Sequence, residues 1–206
     1  MNQIVLVLDA MGVIYTAADD VAELLIPFIR KHGGSADDEA VAWNYTRASL
    51  GEIDADAFWR NVGLSAELEE KYLAAHGLTA GLTEFLGTLP PRVSSVWCLS
   101  NDVGRWSRIL RERRQLERYF AGFVISGDTG SRKPAPAIYQ ALLERTQQPP
   151  HAHLFVDDRV KNLDAARSLG FQTACFRPEP AGPEAECAHD CVRTFSELRE
   201  LLNRTA

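Results

Sequence analysis

The amino-terminal stretch MNQIVLVLDA has no basic residue, and its apolar run is short and ends in an aspartate. That absence excludes a signal peptide and a membrane span there, so the protein is expected to be cytoplasmic with no membrane partner. Positive charge is also in short supply. With 22 Lys and Arg against 28 Asp and Glu, the net charge is −6. A nucleic-acid partner is not expected, because binding a polyanion needs clustered cations. One basic cluster exists, five arginines between Arg105 and Arg114, but Trp106, Ile109 and Leu110 within it fall on one helix face. The arginines then read as that helix's solvated side. Cysteine is scarce as well. Cys98 and Cys175 lie in apolar runs as small hydrophobes, and Cys187 and Cys191 frame His189 in a polar loop. Neither set has the pairing pattern of a secreted scaffold, and a lone C-x3-C is a poor zinc site. No internal repeat or low-complexity segment stands out, and the proline-rich Arg177–Pro183 reads as a surface loop.

What is present is ordinary for a globular protein: 206 residues, 46% hydrophobic and 24% charged, enough for one full domain and a smaller appendage. Short apolar runs occur at Ile4–Leu8, Val93–Leu99, Phe123–Ile125, His153–Val156 and Thr173–Phe176. Each is apolar on both alternations, as in strands buried on two faces. Helical spacings separate most of them. Val103, Trp106, Ile109 and Leu110 mark one helix, and Ile138, Ala141 and Leu142 a second, opened by Pro134. Leu163, Ala166 and Leu169 mark a third, closed by Gly170, and Ser196 can cap a last one through Leu202. Strands alternating with helices predict an α/β fold, a Rossmann-like doubly wound parallel sheet.

The stretch 17–88 breaks that rhythm. It reads as several helices: one capped by Asp19 or Asp20 and ending at Gly33-Gly34, one capped by Ser35, one begun by Asp54, and one by Ser65. The expected division is a core of 1–16 and 89–206 with a small all-helical cap, 17–88, inserted after the first strand. Such an insertion sits above the carboxyl edge of the sheet, where ligands of open α/β sheets bind.

Four segments place polar groups at strand ends. Ile4–Leu8 delivers Asp9, a nucleophile or metal ligand, followed by Ala-Met-Gly. Val96–Leu99 delivers Ser100-Asn101, able to hold phosphoryl oxygens without adding charge. Lys133, in Gly-Ser-Arg-Lys-Pro-Ala-Pro, can offset phosphate and carboxylate charge. Phe155-Val156 leads into Asp157-Asp158, and two adjacent carboxylates need a cation, most simply a hard divalent ion.

In this order the four segments resemble the haloacid dehalogenase superfamily, and the likeness covers almost the whole chain. The nearest look is to the subgroup with the amino-terminal phosphatase domain of soluble epoxide hydrolases and bacterial sugar-phosphate phosphatases. The matching residues are Leu8–Tyr15, Leu99–Asn101, Arg132–Tyr139, and Phe155–Asp158 with Asn162; Gly51–Trp59 looks like part of a small helical cap. The resemblance implies a hydrolase, most simply a phosphatase, acting on a small phosphorylated metabolite as a monomer or homodimer. Asp9 would attack phosphorus. Mg²⁺ would be held by Asp9, the Met11 carbonyl and Asp158, with Asp157 acting through water or in the reverse order. Ser100, Asn101 and Lys133 would hold the phosphoryl group, and Asn162 would brace the acidic loop.

The departure is Met11. Most phosphatases of the superfamily have an aspartate there as general acid and base, a role worth about 10²–10⁴ in rate, and a thioether can do neither. Glu23, His32, Glu52 and His76 are candidate substitutes. A 2-haloacid dehalogenase also lacks that aspartate, but its kind needs no metal and lacks the acidic pair. A catalytically weak binding or regulatory protein is the other alternative. Within the cap, Trp43, Arg47, Trp59 and Arg60 could line the entrance, with Arg47 an anion contact and Trp59 more at home in the cap's own core.

Overall fold

Each apolar run becomes a strand: β1 (Ile4–Leu8), β2 (Val93–Ser100), β3 (Gly122–Ile125), β4 (His153–Asp157) and β5 (Gln172–Phe176). The computed structural model, which describes residues 3–178 and 188–204, adds β6 (Asp190–Val192), which the sequence reading missed. Asp-Cys-Val is too short and polar to stand out, and pairing along β5 is what makes it a strand. All six strands run parallel in the order β3-β2-β1-β4-β5-β6, the doubly wound α/β arrangement. The neighbours of β1 in space are β2 and β4, so the chain leaves it in opposite directions. The crevice at such a switch point is the usual ligand site.

Between β1 and β2 the chain is helical. A π-helical turn (Val21–Leu25) runs into α1 (Ile26–Lys31), followed by α2 (Asp38–Ala48), α3 (Ala55–Asn61), α4 (Glu69–Leu73) and α5 (Leu82–Gly87). Then come α6 (Gly104–Arg113), the single turn α7 (Ser126–Thr129), α8 (Pro136–Thr146), α9 (Val160–Ser168) and α10 (Phe195–Arg204). Among the described residues no helix is long and apolar enough to cross a membrane.

Alternate residues of β1 enter two separate cores. Ile4, Leu6 and Leu8 pack with Trp106 and Leu110 of α6 and Leu198 and Leu202 of α10, whereas Val5 and Val7 pack with Ile138 and Leu142 of α8 and Leu163 of α9. Helices on both faces are the reason the strands read as unbroken apolar runs.

The helix starts differ from the sequence reading at three places. Asp37, not Ser35, caps α2, its carboxylate accepting from the Ala40 N–H at 2.8 Å. Pro136, not Pro134, occupies the first turn of α8. Thr194, not Ser196, caps α10 by accepting from the Glu197 N–H at 3.1 Å. In each case several suitable residues lie within a few positions, and the point where the chain leaves extended backbone selects one. Asp54 and Ser65 cap as expected, accepting from the Ala57 and Glu67 N–H groups.

The arginines of α6 are a further correction. Arg105 binds the carboxylates of Asp56 and Glu69, Arg113 that of Glu70, and Arg114 the His76 carbonyl at 2.6 Å. Three of the five therefore tie the insertion to the core instead of facing only water. The insertion lies back on α6, a tertiary fact that helix periodicity does not contain. At the centre of this contact Trp106 packs on Phe58, Trp59 and Tyr72, with ring centroids 5.1, 5.6 and 5.2 Å away. Glu69 Oε2 sits among them, accepting from the indole N–H of Trp59 at 3.1 Å and of Trp106 at 2.6 Å, and from Arg105 at 2.7 Å. The last helix before β2, α5, packs on α10 through Phe85 stacked against Phe195. Cys98 and Cys175 are buried in β2 and β5, while most of the proline-rich stretch and Cys187 lie outside the described residues.

Candidate active site

Asp9 is the first residue past β1, and its N–H donates to the Val156 carbonyl at 2.9 Å, which keeps the two strand tips level. Its carboxylate accepts from the Ala10 N–H at 2.6 Å and faces Lys133 Nζ at 2.7 Å. The same ammonium donates to Asp157 Oδ2 at 2.7 Å. Asp157 is fully buried at the end of β4, and its oxygens also accept from the Arg159 N–H and from Asn162 Nδ2 at 3.1 and 3.0 Å. Asn162 thus braces this loop. Asp158 is different: its Oδ1 is buried with no hydrogen-bond partner. Gly12 makes room for it. At φ +77° a Cβ on Gly12 would lie 2.7 Å from the Asp158 carboxyl carbon, so the glycine serves both the left-handed turn and the close approach.

Asp9, Asp157 and Asp158 each offer an oxygen within 4.8 Å of the others. The electrostatic consequence is strong. Burial first, and then Asp157, push Asp9 well above the usual carboxylate range, and Lys133 offsets only part of this. Burial and Asp157 likewise push Asp158 up to about 6. Burial works against the charge of Lys133, but Asp157 and Asp9 outweigh it and hold the ammonium above its ordinary value. Lys133 and Arg159 against three carboxylates still leave an excess of negative charge, and an orphan carboxylate oxygen within it fits a hard divalent cation.

Ser100 ends β2, buried, with its Oγ unpartnered. Asn101 uses its amide differently from the sequence expectation. Its Oδ1 accepts from the Lys133 N–H at 2.7 Å and its Nδ2 donates to the Lys133 carbonyl at 2.9 Å, so it clamps the lysine loop.

Asp9, Met11, Ser100, Asn101 and Lys133 line one cavity of about 210 Å³. The insertion closes it with Asp20, Tyr45 and Thr46, and Arg132 and Arg159 add two cations to its wall. Arg47 is not brought there. It pairs with Glu52 and lies over the ring of Trp43, which is 59% exposed. Trp59 is fully buried, not in a separate core of the insertion but against Trp106 of α6. The four candidate proton carriers named from the sequence do not line the cavity. Glu23 accepts from the Ala18 and Asp19 N–H groups, His32 stacks on Phe28, and Glu52 pairs with Arg47. His76 is packed against Tyr15 and Tyr72, and burial pushes it down to about 4.

Sequence reasoning missed Asp20, Tyr45, Arg132 and Arg159. The usable signal was at position 20: Asp19 and Asp20 compete for one capping role, and Asp19 takes it, accepting from the Ala22 N–H at 3.1 Å.

Residues 5–170 match the family described as haloacid dehalogenase-like hydrolase, and the chain belongs to that family of hydrolases. It is 29% identical over 156 residues to a phosphoglycolate phosphatase of Nitrosospira multiformis, a match spanning 75% of this chain and 68% of the relative. Among solved structures it resembles a mutant haloacid dehalogenase family enzyme of Bacteroides thetaiotaomicron in complex with magnesium and inorganic phosphate. That likeness has a TM-score of 0.71 at 21% identity and covers 89% of this chain and 98% of the other. It also resembles the L-2-haloacid dehalogenase of Xanthobacter autotrophicus, with a TM-score of 0.69 at 18% identity and full coverage of both chains. Likenesses that distant speak for the fold alone.

Proposed function

We propose that the protein is a Mg²⁺-dependent phosphatase of small phosphorylated metabolites, with Asp9 as the nucleophile and residues 17–88 as a lid over the core formed by 1–16 and 89–206. The observation that carries this is the meeting of Asp9, Asp157 and Asp158 around Lys133 at the sheet edge, with Asp158 Oδ1 buried and unpartnered. Asp9, Asp158 and the Met11 carbonyl would hold the ion, with Asp157 behind them, both its oxygens engaged by neighbours. When bound, magnesium supplies positive charge for the phosphoryl oxygens and the carboxylates.

The chain's own residues do the rest. Lys133 and the free Ser100 hydroxyl take phosphoryl oxygens and orient phosphorus toward Asp9, whose carboxylate attacks it to form an aspartyl-phosphate that water then opens. Asn101 holds Lys133 in register. The cavity's modest volume and its two arginines suit a small anionic substrate, and the phosphatase activity of the Nitrosospira relative supports the same reading.

Met11 favours a second reading, a 2-haloacid dehalogenase attacking carbon, because that chemistry needs no proton donor at the leaving group. A panel of phosphorylated metabolites with 2-chloropropionate, each with and without EDTA, separates the two. The expected result is phosphate release that EDTA abolishes. Chloride release indifferent to EDTA would replace the phosphatase by the dehalogenase, and silence across the panel would leave a binding protein.

A further inference from the structure

Expelling an alkoxide from phosphorus needs a proton, and opening the acyl-phosphate needs a base to receive one. The thioether of Met11, at the cavity wall beside Asp9, does neither. The carboxylates lining the cavity are Asp9, Asp19 and Asp20. Asp9 is committed to attack. Asp19 has a side chain 56% exposed, caps the Ala22 N–H and faces Arg159 at 4.0 Å. Asp20 has neither task. It is 5% exposed and accepts from the Tyr45 hydroxyl at a long 3.4 Å, while that hydroxyl also reaches the Asn101 carbonyl at 3.2 Å. A carboxyl so held is buried on the cavity wall, and its hydrogen bond from Tyr45 is long.

We propose that Asp20 is the proton carrier of this site, an inference that rests on the phosphatase reading. As the acid it gives its proton to the leaving oxygen while the bond from that oxygen to phosphorus breaks and the bond from Asp9 forms. As the resulting carboxylate it takes a proton from the water whose oxygen then bonds phosphorus and releases Asp9. Asp20 ends the cycle protonated, and no other reactant is consumed.

The surroundings suit the role. Burial first, and then Asp19, push Asp20 up to about 6, while the Tyr45 hydroxyl and Arg159 pull the other way. Tyr72 and the buried Asp102 also face it. An acid titrating near neutrality both donates and accepts efficiently. Because the donor must be protonated, turnover of esters with poor leaving groups falls as pH rises through that value. The carboxyl comes from the lid, so proton transfer depends on the lid being seated.

The test uses Asp20→Asn in the full chain, with glycerol 2-phosphate and p-nitrophenyl phosphate as probes. The expected loss of kcat on glycerol 2-phosphate is about 10²–10³-fold, with the pH limb near 6 abolished. On p-nitrophenyl phosphate, transfer to Asp9 proceeds and water attack does not, so a burst of p-nitrophenol precedes a slow steady state. Met11→Asp placed in the Asp20→Asn background, within the same cavity, restores part of the glycerol 2-phosphate activity. Asp20→Asn that melts like wild type and keeps its kcat within threefold overturns the assignment. So does an equal loss on both probes with no burst and the limb intact, and so does a wild type that cleaves p-nitrophenyl phosphate alone. A wild type releasing phosphate from neither probe removes the phosphatase reading and this inference with it. Asp20→Asn matching an active wild type, with Asp9→Asn dead, removes the proton carrier alone.

Discussion

The sheet edge and the helical insertion meet at one cavity, yet they hold their polar groups by opposite means. At the edge, buried Asp9, Asp157 and Lys133 and half-buried Asp158 are crowded and only partly compensated, which leaves charge to be answered by a ligand. In the insertion Glu69 lies outside the cavity lining, and its Oε2 is answered by two indoles and Arg105. Frustrated charge belongs where chemistry occurs, and satisfied charge where two bodies must stay together.

The largest effect expected from that contrast is on activity. Asp9→Asn should cut phosphate release by on the order of 10⁴-fold or more, with the melting temperature kept or raised, since a crowded carboxylate is removed. Steady-state assay and thermal melts on one preparation check both halves. Glu69→Ala should do the reverse. Two indole N–H groups and a guanidinium lose their acceptor, which costs about 3 kcal/mol in urea unfolding, while kcat of the folded protein stays within a few-fold. A Glu69→Ala variant as stable as wild type would mean that the aromatic cluster alone seats the lid. Gly12→Ala should sit between, because a left-handed alanine costs about 1–2 kcal/mol and its methyl meets Asp158. Its signature is a weakened Mg²⁺-induced rise in melting temperature, and an undiminished rise would take Asp158 out of the ion's ligands. The smallest effect is expected at Arg47. Arg47→Ala removes a pair with the half-exposed Glu52 and a contact with exposed Trp43, worth less than about 1 kcal/mol, and should leave kcat/KM within about twofold. A tenfold loss would place the residue at the substrate after all.

How much of this was legible in the sequence follows from the range of each force. The strands were readable because burial on both faces writes an unbroken apolar run, as Val5 and Val7 against Leu6 and Leu8 show. Their polar ends were readable only together, because one carboxylate past an apolar run can be a simple cap whereas several polar segments in order are harder to explain so. The strand β6 was not, since it exists by pairing with β5. Arg47 was misplaced as a lining residue because a helix period says which residues share a face and nothing of what that face meets. The same gap hid Arg105, Arg113 and Arg114, whose partners lie 36 to 49 positions away. Asp20 was overlooked because one local role explained both it and Asp19.

By itself, the order of residues determined the alternation of strand and helix, the parallel sheet, and the presence of Asp9, Ser100 and the acidic pair at strand ends. All of these follow from local periodicity and from where apolar runs stop. Only the tertiary structure decided that Asp157 is consumed by Lys133 and Asn162 while Asp158 keeps an open oxygen, and that Asp20 instead of Arg47 faces the cavity. Those outcomes depend on distances between segments far apart in the chain, and such distances are set by packing across the whole fold.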